Sequence, residues 1–235
     1  MPNLALAALN AILPRIVLPA TAVSLAVVAQ EQGWGLINLL PVPPAMAFVA
    51  AIVALDLAIY IQHVLFHAVP LLWRLHRMHH ADPDFDATTG VRFHPLEALV
   101  SAAIKLAAVA ALGPSPLAVA TFEVLLNVTA MFNHGNVRLP RGVDRLLRWA
   151  VVTPDMHRIH HSAVPRETNS NFGFNLPWWD RLFGTYMEQP GAGHEGMVIG
   201  LNQFRDREDL TLGSMLLQPL RDTDDSLGGP QHLPG

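Results

Sequence analysis

Four long apolar runs occupy most of the first 132 residues, and they constrain the fold more than any other feature. The first, Leu4–Ala29, is interrupted by Pro14, Arg15 and Pro19. The others are Ala45–Ile61, Leu96–Leu112 with Lys105 inside it, and Leu117–Phe132 with Glu123 inside it. A helix on the surface of a soluble domain keeps one polar face, and these runs have almost none. Charged residues are 14% of the chain, against about 25% in a soluble domain, and mean hydropathy is +0.30. The expected fold is therefore all-α: an integral-membrane bundle of about four transmembrane or re-entrant helices under a cytosolic helical cap. The stretches read as helical, Ile16–Gln30 in the first run and the whole of the other three, have about 15–18 residues each, short of the roughly 20 that span a bilayer. Either the flanks extend them or the last two form a re-entrant hairpin. The first membrane helix is expected at roughly Ile16–Gln30, retained because no small-residue cleavage site follows it. Gly33 to Pro44 and Gly113 to Pro116 mark turns.

Loop charges suggest an orientation. Arg15 precedes the first helix, whereas the next loop carries only Glu31. Arg74, Arg77 and Arg92 follow the second run, and the 113–116 turn is uncharged. Arg138, Arg141, Arg145, Arg148, Arg158 and Arg166 follow the fourth. By the positive-inside rule both termini and the cap face the cytoplasm, most simply across the inner (plasma) membrane. Residues 1–221 are expected to form one domain, with the cap at about 63–95 and 135–221. The Asp-, Gly- and Pro-rich tail 222–235 is expected to be disordered.

Histidine supplies the chemistry. There are 12 in the chain and no cysteine, which excludes disulfides, thiolate metal sites and cysteine nucleophiles. The net charge of −4 argues against nucleic acid as a partner. His63 and His67 stand at i and i+4. His76, His79 and His80 stand at i, i+3 and i+4, and His157, His160 and His161 repeat that triplet. Such spacings put imidazoles on one helical face. His134 adds a ninth at the end of the fourth run. Packing gives no reason to gather imidazoles at membrane borders, whereas a metal does, since neutral imidazole suits Fe, Zn, Cu and Ni. One zinc takes three or four protein ligands, so nine histidines point to two metals.

Other residues are placed by helical register. Asp56 lies seven residues before His63, inside an apolar run, and is expected to accept a bond from a ligand's other N–H. Tyr60 is in the same stripe. His94 is expected to orient the site, with Glu97 bonding to it or capping the helix. Asn127, seven residues before His134, is expected to share its face. Lys105 and Glu123 are expected to pair. Trp178, Trp179 and Phe183 suit the headgroup level. His194 and His232 lie in polar, glycine-rich surroundings and are not expected to be ligands.

With these clusters on the page, the sequence resembles the fatty acid hydroxylase/sterol desaturase superfamily of membrane di-iron enzymes. The resemblance runs from about Asp56 to Tyr186. It is carried by Asp56-xxx-Tyr60-xx-His63-xxx-His67, Leu75–His80, Thr88–Glu97, Phe132–Asn136, Pro154–His161, Asn169–Gly173 and Trp179–Tyr186. It implies two iron ions, with zinc as a possible substitute, held by His63, His67, His76, His79, His80, His134, His157, His160 and His161. It also implies O2 as co-substrate, hydroxylation or desaturation of a sterol or fatty-acyl lipid, and electrons from a separate donor protein. Many fatty acyl hydroxylases of the group have a further histidine where this chain has Ala130. That leaves a tenth position empty or to water, Asn127 or Asn136. Two rival readings are a zinc-dependent membrane hydrolase and a metal-binding membrane protein without catalysis. The absence of a His-Glu-x-x-His motif, or of any Glu inside a cluster, counts against the hydrolase.

Overall fold

The computed structural model describes residues 2–222, so the tail expected to be disordered lies, but for Asp222, outside the described residues. The described chain is almost wholly helical, with one isolated bridge between Ser162 and Ile199.

The first apolar run is two helices rather than one. Helix α1 spans Pro2–Val17 and α2 spans Ala22–Gln32. The expected helix over Ile16–Gln30 is broken because Pro19 has no N–H to continue the ladder. Thr21 then restarts the chain with a capping box to Ser24. Gly33 ends α2 in the left-handed region, and a short turn α3 (Leu36–Leu39) follows. Helix α4 runs through Pro44–Ala68, beyond the end of the apolar run at Ile61, and carries the first histidine pair on its last turns. At about 1.5 Å per residue its 25 residues are long enough to cross a bilayer with turns to spare. Helix α5 (Pro70–His80) folds back beside it. Helices α6 (Pro95–Leu112) and α7 (Pro116–Asn133) each open on a proline at the first turn, behind His94 and Ser115 as caps.

The helices alternate in direction. Asn3 on α1 bonds Asp82 and Thr88, at the histidine end. Asn38, after α2, bonds the carbonyl of Gly113 at the opposite end. Helix α4 returns to the histidine end, α6 leaves it, and α7 comes back to it. Four segments are long and apolar enough to cross a membrane: Pro2–Leu39, Pro44–Ala68, Pro95–Leu112 and Pro116–Asn133. They meet in a core of Ala22, Ala26, Leu55, Ile59, Val109, Val119 and Phe122. Val49, Leu117, Val124, Val128 and Met131 stay exposed on the outside. Apolar residues both inside and outside are what a bundle in lipid requires. The chain is thus an integral membrane protein. Lys105 and Glu123 pair at 2.6 Å between α6 and α7.

The cap is built from short helices: α8 (Arg141–Leu147), α9 (Pro154–His160), α10 (Pro165–Thr168), α11 (Trp178–Leu182), α12 (Gly193–Gly196) and α13 (Leu212–Leu217). Met215 of α13 packs with Leu6 of α1 and Met78 of α5, tying the end of the chain to its beginning.

At the far end the loops cross at two glycines. Gly113 has φ +63°, and a Cβ there would collide with the Trp34 carbonyl and the Asn38 amide. Gly113→Ala is therefore expected to cost about 1–3 kcal/mol through backbone strain and overpacking. Gly142→Ala, in open space on α8, is expected to be neutral or slightly stabilising. Thermal unfolding in detergent compares the two; equal melting points would contradict the close crossing.

Candidate metal centre

Each histidine cluster is set by the helix that carries it. Helix α4 presents His63 and His67 one turn apart. Helix α5 presents its triplet on its last turn, and α9 presents His157 and His160 there with His161 as its C-cap. His134 follows the last turn of α7 as its C-cap. At one end of the bundle these nine rings gather in two groups. His63, His67, His76, His80 and His160 form one; His79, His134, His157 and His161 form the other. Within each group the ligand atoms lie within 4.8 Å of one another. The triplets divide between the groups in opposite ways. From α5 the i, i+4 pair joins the first group and the middle His79 the second. From α9 the i, i+4 pair joins the second group and the middle His160 the first. The groups share a wall, with ring centroids of His80 and His161 4.5 Å apart.

Hydrogen bonds fix several ring tautomers. His63 Nδ1–H donates to the Phe172 carbonyl at 2.8 Å, and His160 Nδ1–H donates to the Ser170 carbonyl at 2.7 Å. Both Nε2 atoms therefore carry lone pairs, and they face each other at 3.0 Å. Two lone pairs at that separation repel unless a cation lies between them. An imidazole nitrogen bonds a transition metal at about 2.0–2.1 Å, so two ligands at right angles on one ion stand about 3 Å apart. His134 Nδ1–H donates to Ala130 O at 2.7 Å, leaving its Nε2 lone pair 3.1 Å from Nε2 of His157 and 3.3 Å from Nε2 of His79. The Nε2 atoms of His67, His76, His80 and His161 are buried with no hydrogen-bond partner. Buried polar atoms are seldom left so. The donor set fits metal ions.

None of the nine rings is more than 5% exposed. Burial, with neighbouring imidazoles adding to it, holds His79, His80, His157 and His161 well below the ordinary imidazole value. Burial likewise pushes His134 down to about 4 and His160 to about 3. The lone pairs thus stay free for a metal far into the acid range. Phe93 stacks on His79, Phe85 leans on His161, and Phe172 closes on His67 and His160, excluding water.

The residues that orient the rings differ from those expected. His76 Nδ1–H donates to Glu97 Oε1 at 2.6 Å, so Glu97 serves His76 rather than His94. His94 caps α6 through Leu96 N–H, and its Nε2 lies 3.2 Å from the Leu216 carbonyl. It bonds the C-terminal helix and no histidine. Asn127 is exposed and donates to Glu123 O on its own helix, away from His134. Register from Asn127 to His134 misleads because the helix ends at Asn133. Asn136 bonds Arg158, so neither asparagine completes the second group. His194 lies outside both groups.

Asp56 is buried but bonds no ring. It accepts from Asn175 Nδ2, Leu176 N and Trp179 Nε1. Asp180, fully buried and pushed up to about 6 by that burial, accepts from Phe172 N, Gly173 N and Thr185 Oγ1. Thr185 in turn bonds the Tyr60 hydroxyl at 2.9 Å. These two carboxylates hold the loop 169–176 against α4. The loop then offers Asn169 Oδ1 to His67, Ser170 O to His160 and Phe172 O to His63. Three of the five rings in the first group are aimed by this one loop. Asn169–Gly173 was identifiable as a motif, but nothing in its spacing reveals that its carbonyls face the rings.

Asp180→Asn replaces one acceptor oxygen with a donor and strands a buried N–H. The expected cost is about 1–3 kcal/mol of stability, with metal affinity falling about 10–100-fold through misaligned rings. Competition titration with a chromophoric chelator measures it; unchanged affinity would contradict the loop's part in aiming the histidines.

Comparison with known proteins identifies a family and several relatives. A family model described as fatty acid hydroxylase matches residues 48–185, more than half of the chain. The ornithine lipid hydroxylase of Rhizobium tropici is 35% identical over 151 residues, covering 63% of this chain and 44% of that protein. The alkylglycerol monooxygenase of Xenopus tropicalis is 29% identical over 150 residues, 63% of this chain and 32% of its own. The human cholesterol 25-hydroxylase is 27% identical over 132 residues, 55% of this chain and 47% of its own. The chain thus spans less than half the length of each of these relatives. No solved structure matches. All nine clustered histidines lie inside the stretch that the family model matches, and the chain belongs to the fatty acid hydroxylase family.

Proposed function

We propose that the protein is a lipid hydroxylase that uses two histidine-held iron ions and O2 to place an oxygen atom on a lipid C–H bond. The observation that carries this reading is the pair of adjoining all-imidazole groups, with the facing lone pairs of His63 and His160 at its heart. Family membership supports it, as do relatives named as hydroxylases or monooxygenases of ornithine lipid, alkylglycerol and cholesterol. On this reading His63, His67, His76, His80 and His160 hold one ion, and His79, His134, His157 and His161 the other. Iron so bound would supply the redox chemistry needed to activate O2.

The chain's own residues supply position and dryness. The loop carbonyls and Glu97 keep Nδ1 of His63, His160 and His76 protonated and their Nε2 atoms free, which fixes the orientation of these three rings before any ion arrives. The aromatic side chains around the rings keep water from the reacting carbon. A lipid tail would reach the centre from the bilayer, beside the cap end of α4. The arginines that follow α4 and α7 support a cytoplasmic position for the centre, across the inner membrane. Hydroxylation consumes two electrons beyond those of the substrate, and these are assigned to a separate donor protein.

Zinc hydrolysis fits the site less well. It needs a carboxylate beside the metal-bound water, and both groups are all histidine. Glu97, which touches a ring of the first group, is already bound to His76 Nδ1.

Reconstitution under anaerobic conditions, followed by metal analysis and O2 exposure with membrane lipid, tests the proposal. Two irons per chain and a hydroxylated lipid are expected, and His160→Ala is expected to lose both. One firmly held zinc with no iron uptake, or a product that survives His160→Ala, would contradict it.

A further inference from the structure

Beyond the histidine centre, the cap contains a cavity of about 1040 Å³ whose walls are rich in arginine. Arg138, Arg141, Arg145 and Arg148 come from α8 and its flanks, and Arg181 from α11. Four carboxylates also line it: Asp144, Asp155, Glu188 and Glu195. Three of these are met. Arg148 pairs with Asp144 at 2.7 Å, Arg138 with Glu195 at 2.9 Å, and Arg158 with Asp155 at 2.9 Å. Arg141, Arg145 and Arg181 pair with no carboxylate, against the single exposed Glu188. With Arg158, which neutralises Asp155 from outside the lining, the balance is two positive charges in excess.

Some of the donors there are also unmet, although Arg148 Nη1 donates to Glu188 O and Arg181 Nη2 to Arg148 O. Arg148 is 3% exposed, yet its Nη2 has no hydrogen-bond partner. Arg181 Nε and both ring nitrogens of His194 are buried without partners too. Arg181 is held rigid between the rings of Trp149 and Tyr186, 4.2 and 3.9 Å from their centroids. A buried guanidinium held in place, with free N–H groups, suits a tetrahedral oxyanion, which can satisfy several donors at once.

The cavity's position names the carrier of that anion. Trp178 on α11 donates to the Trp149 carbonyl, and the neighbouring Trp179 donates to Asp56 inside the spanning helix α4. The arginine wall is therefore tied directly to a membrane-spanning segment. Trp149 in that wall is 62% exposed, and Leu146, beside it on α8, is 73% exposed. Exposed tryptophan beside arginine is the composition of a bilayer border, where aromatic rings sit at headgroup level. We propose that this cavity binds the phosphate headgroup of an anionic membrane lipid, with Arg141, Arg145, Arg148 and Arg181 as its donors. Leu146 and Trp149 would lie against the upper part of the tails. The inference does not depend on which lipid is hydroxylated.

Native mass spectrometry of the full chain, released from neutral detergent with equal amounts of dioleoyl phosphatidic acid and dioleoyl phosphatidylcholine, tests this. Preferential retention of phosphatidic acid is expected. Affinity should fall about fivefold for each arginine removed in Arg141→Gln and Arg145→Gln, the scale of one basic group beside an anionic lipid. Both side chains are exposed, so these variants should fold, and Arg145→Lys should keep most of the preference. Excess inorganic phosphate should not displace the lipid. Equal retention of the two lipids, undiminished preference in the double glutamine variant, or full displacement by inorganic phosphate would each overturn the proposal.

Discussion

Nine neutral imidazoles buried together repel one another through their lone pairs, and the architecture answers that repulsion. His63 and His160 cannot turn aside, because each Nδ1–H is bound to a backbone carbonyl. Their Nε2 atoms are thus held face to face at 3.0 Å. Without a cation that contact is unfavourable; with one it becomes a pair of ligand bonds. Metal-binding free energy is then part of what holds α4, α5, α7 and α9 together. Burial holds His79, His80, His134, His157, His160 and His161 below the ordinary imidazole value, so protons compete weakly for their lone pairs.

The second layer explains why the cap is conformationally committed. Asp56 and Asp180 are both buried, and both spend their oxygens on the segment 172–179 and on Thr185 rather than on the histidines. Burying a carboxylate is costly unless it is fully bonded. Here the bonds lock a loop whose carbonyls aim three rings. Helix α4 therefore contributes to the centre twice: directly through His63 and His67, and indirectly through Asp56, which anchors the loop that orients His63.

Much of this was legible in the sequence. The apolar runs, bounded by Pro44, Gly113 and Pro116, mark α4, α6 and α7 to within a few residues, save that α4 continues through His67; Gly33 marks the end of α2 but nothing marked its start. The nine histidines that spacing singles out are the nine that the fold gathers. What spacing does not reveal is their sorting. A triplet at i, i+3, i+4 reads as one face, whereas the middle ring of each triplet crosses to the other group. That division depends on the angle between α5 and α9, a tertiary property. The break at Pro19 was visible as a proline, but apolar continuity on both sides hides it. Asn127 misleads by helical register carried past the end of α7. Glu97 reaches back 21 residues to His76, and Asp180 bonds the 172–173 backbone across an irregular loop with no helical period, so no local pattern marks either as a partner.

The central claim is that two adjacent metal ions are held by imidazole alone. Iron K-edge X-ray absorption of the iron-loaded protein tests it most directly. The account predicts a nitrogen and oxygen shell with the outer-shell scattering of several imidazoles per iron, together with an iron–iron vector. A spectrum with one or two imidazoles per iron and no metal–metal scattering would contradict it.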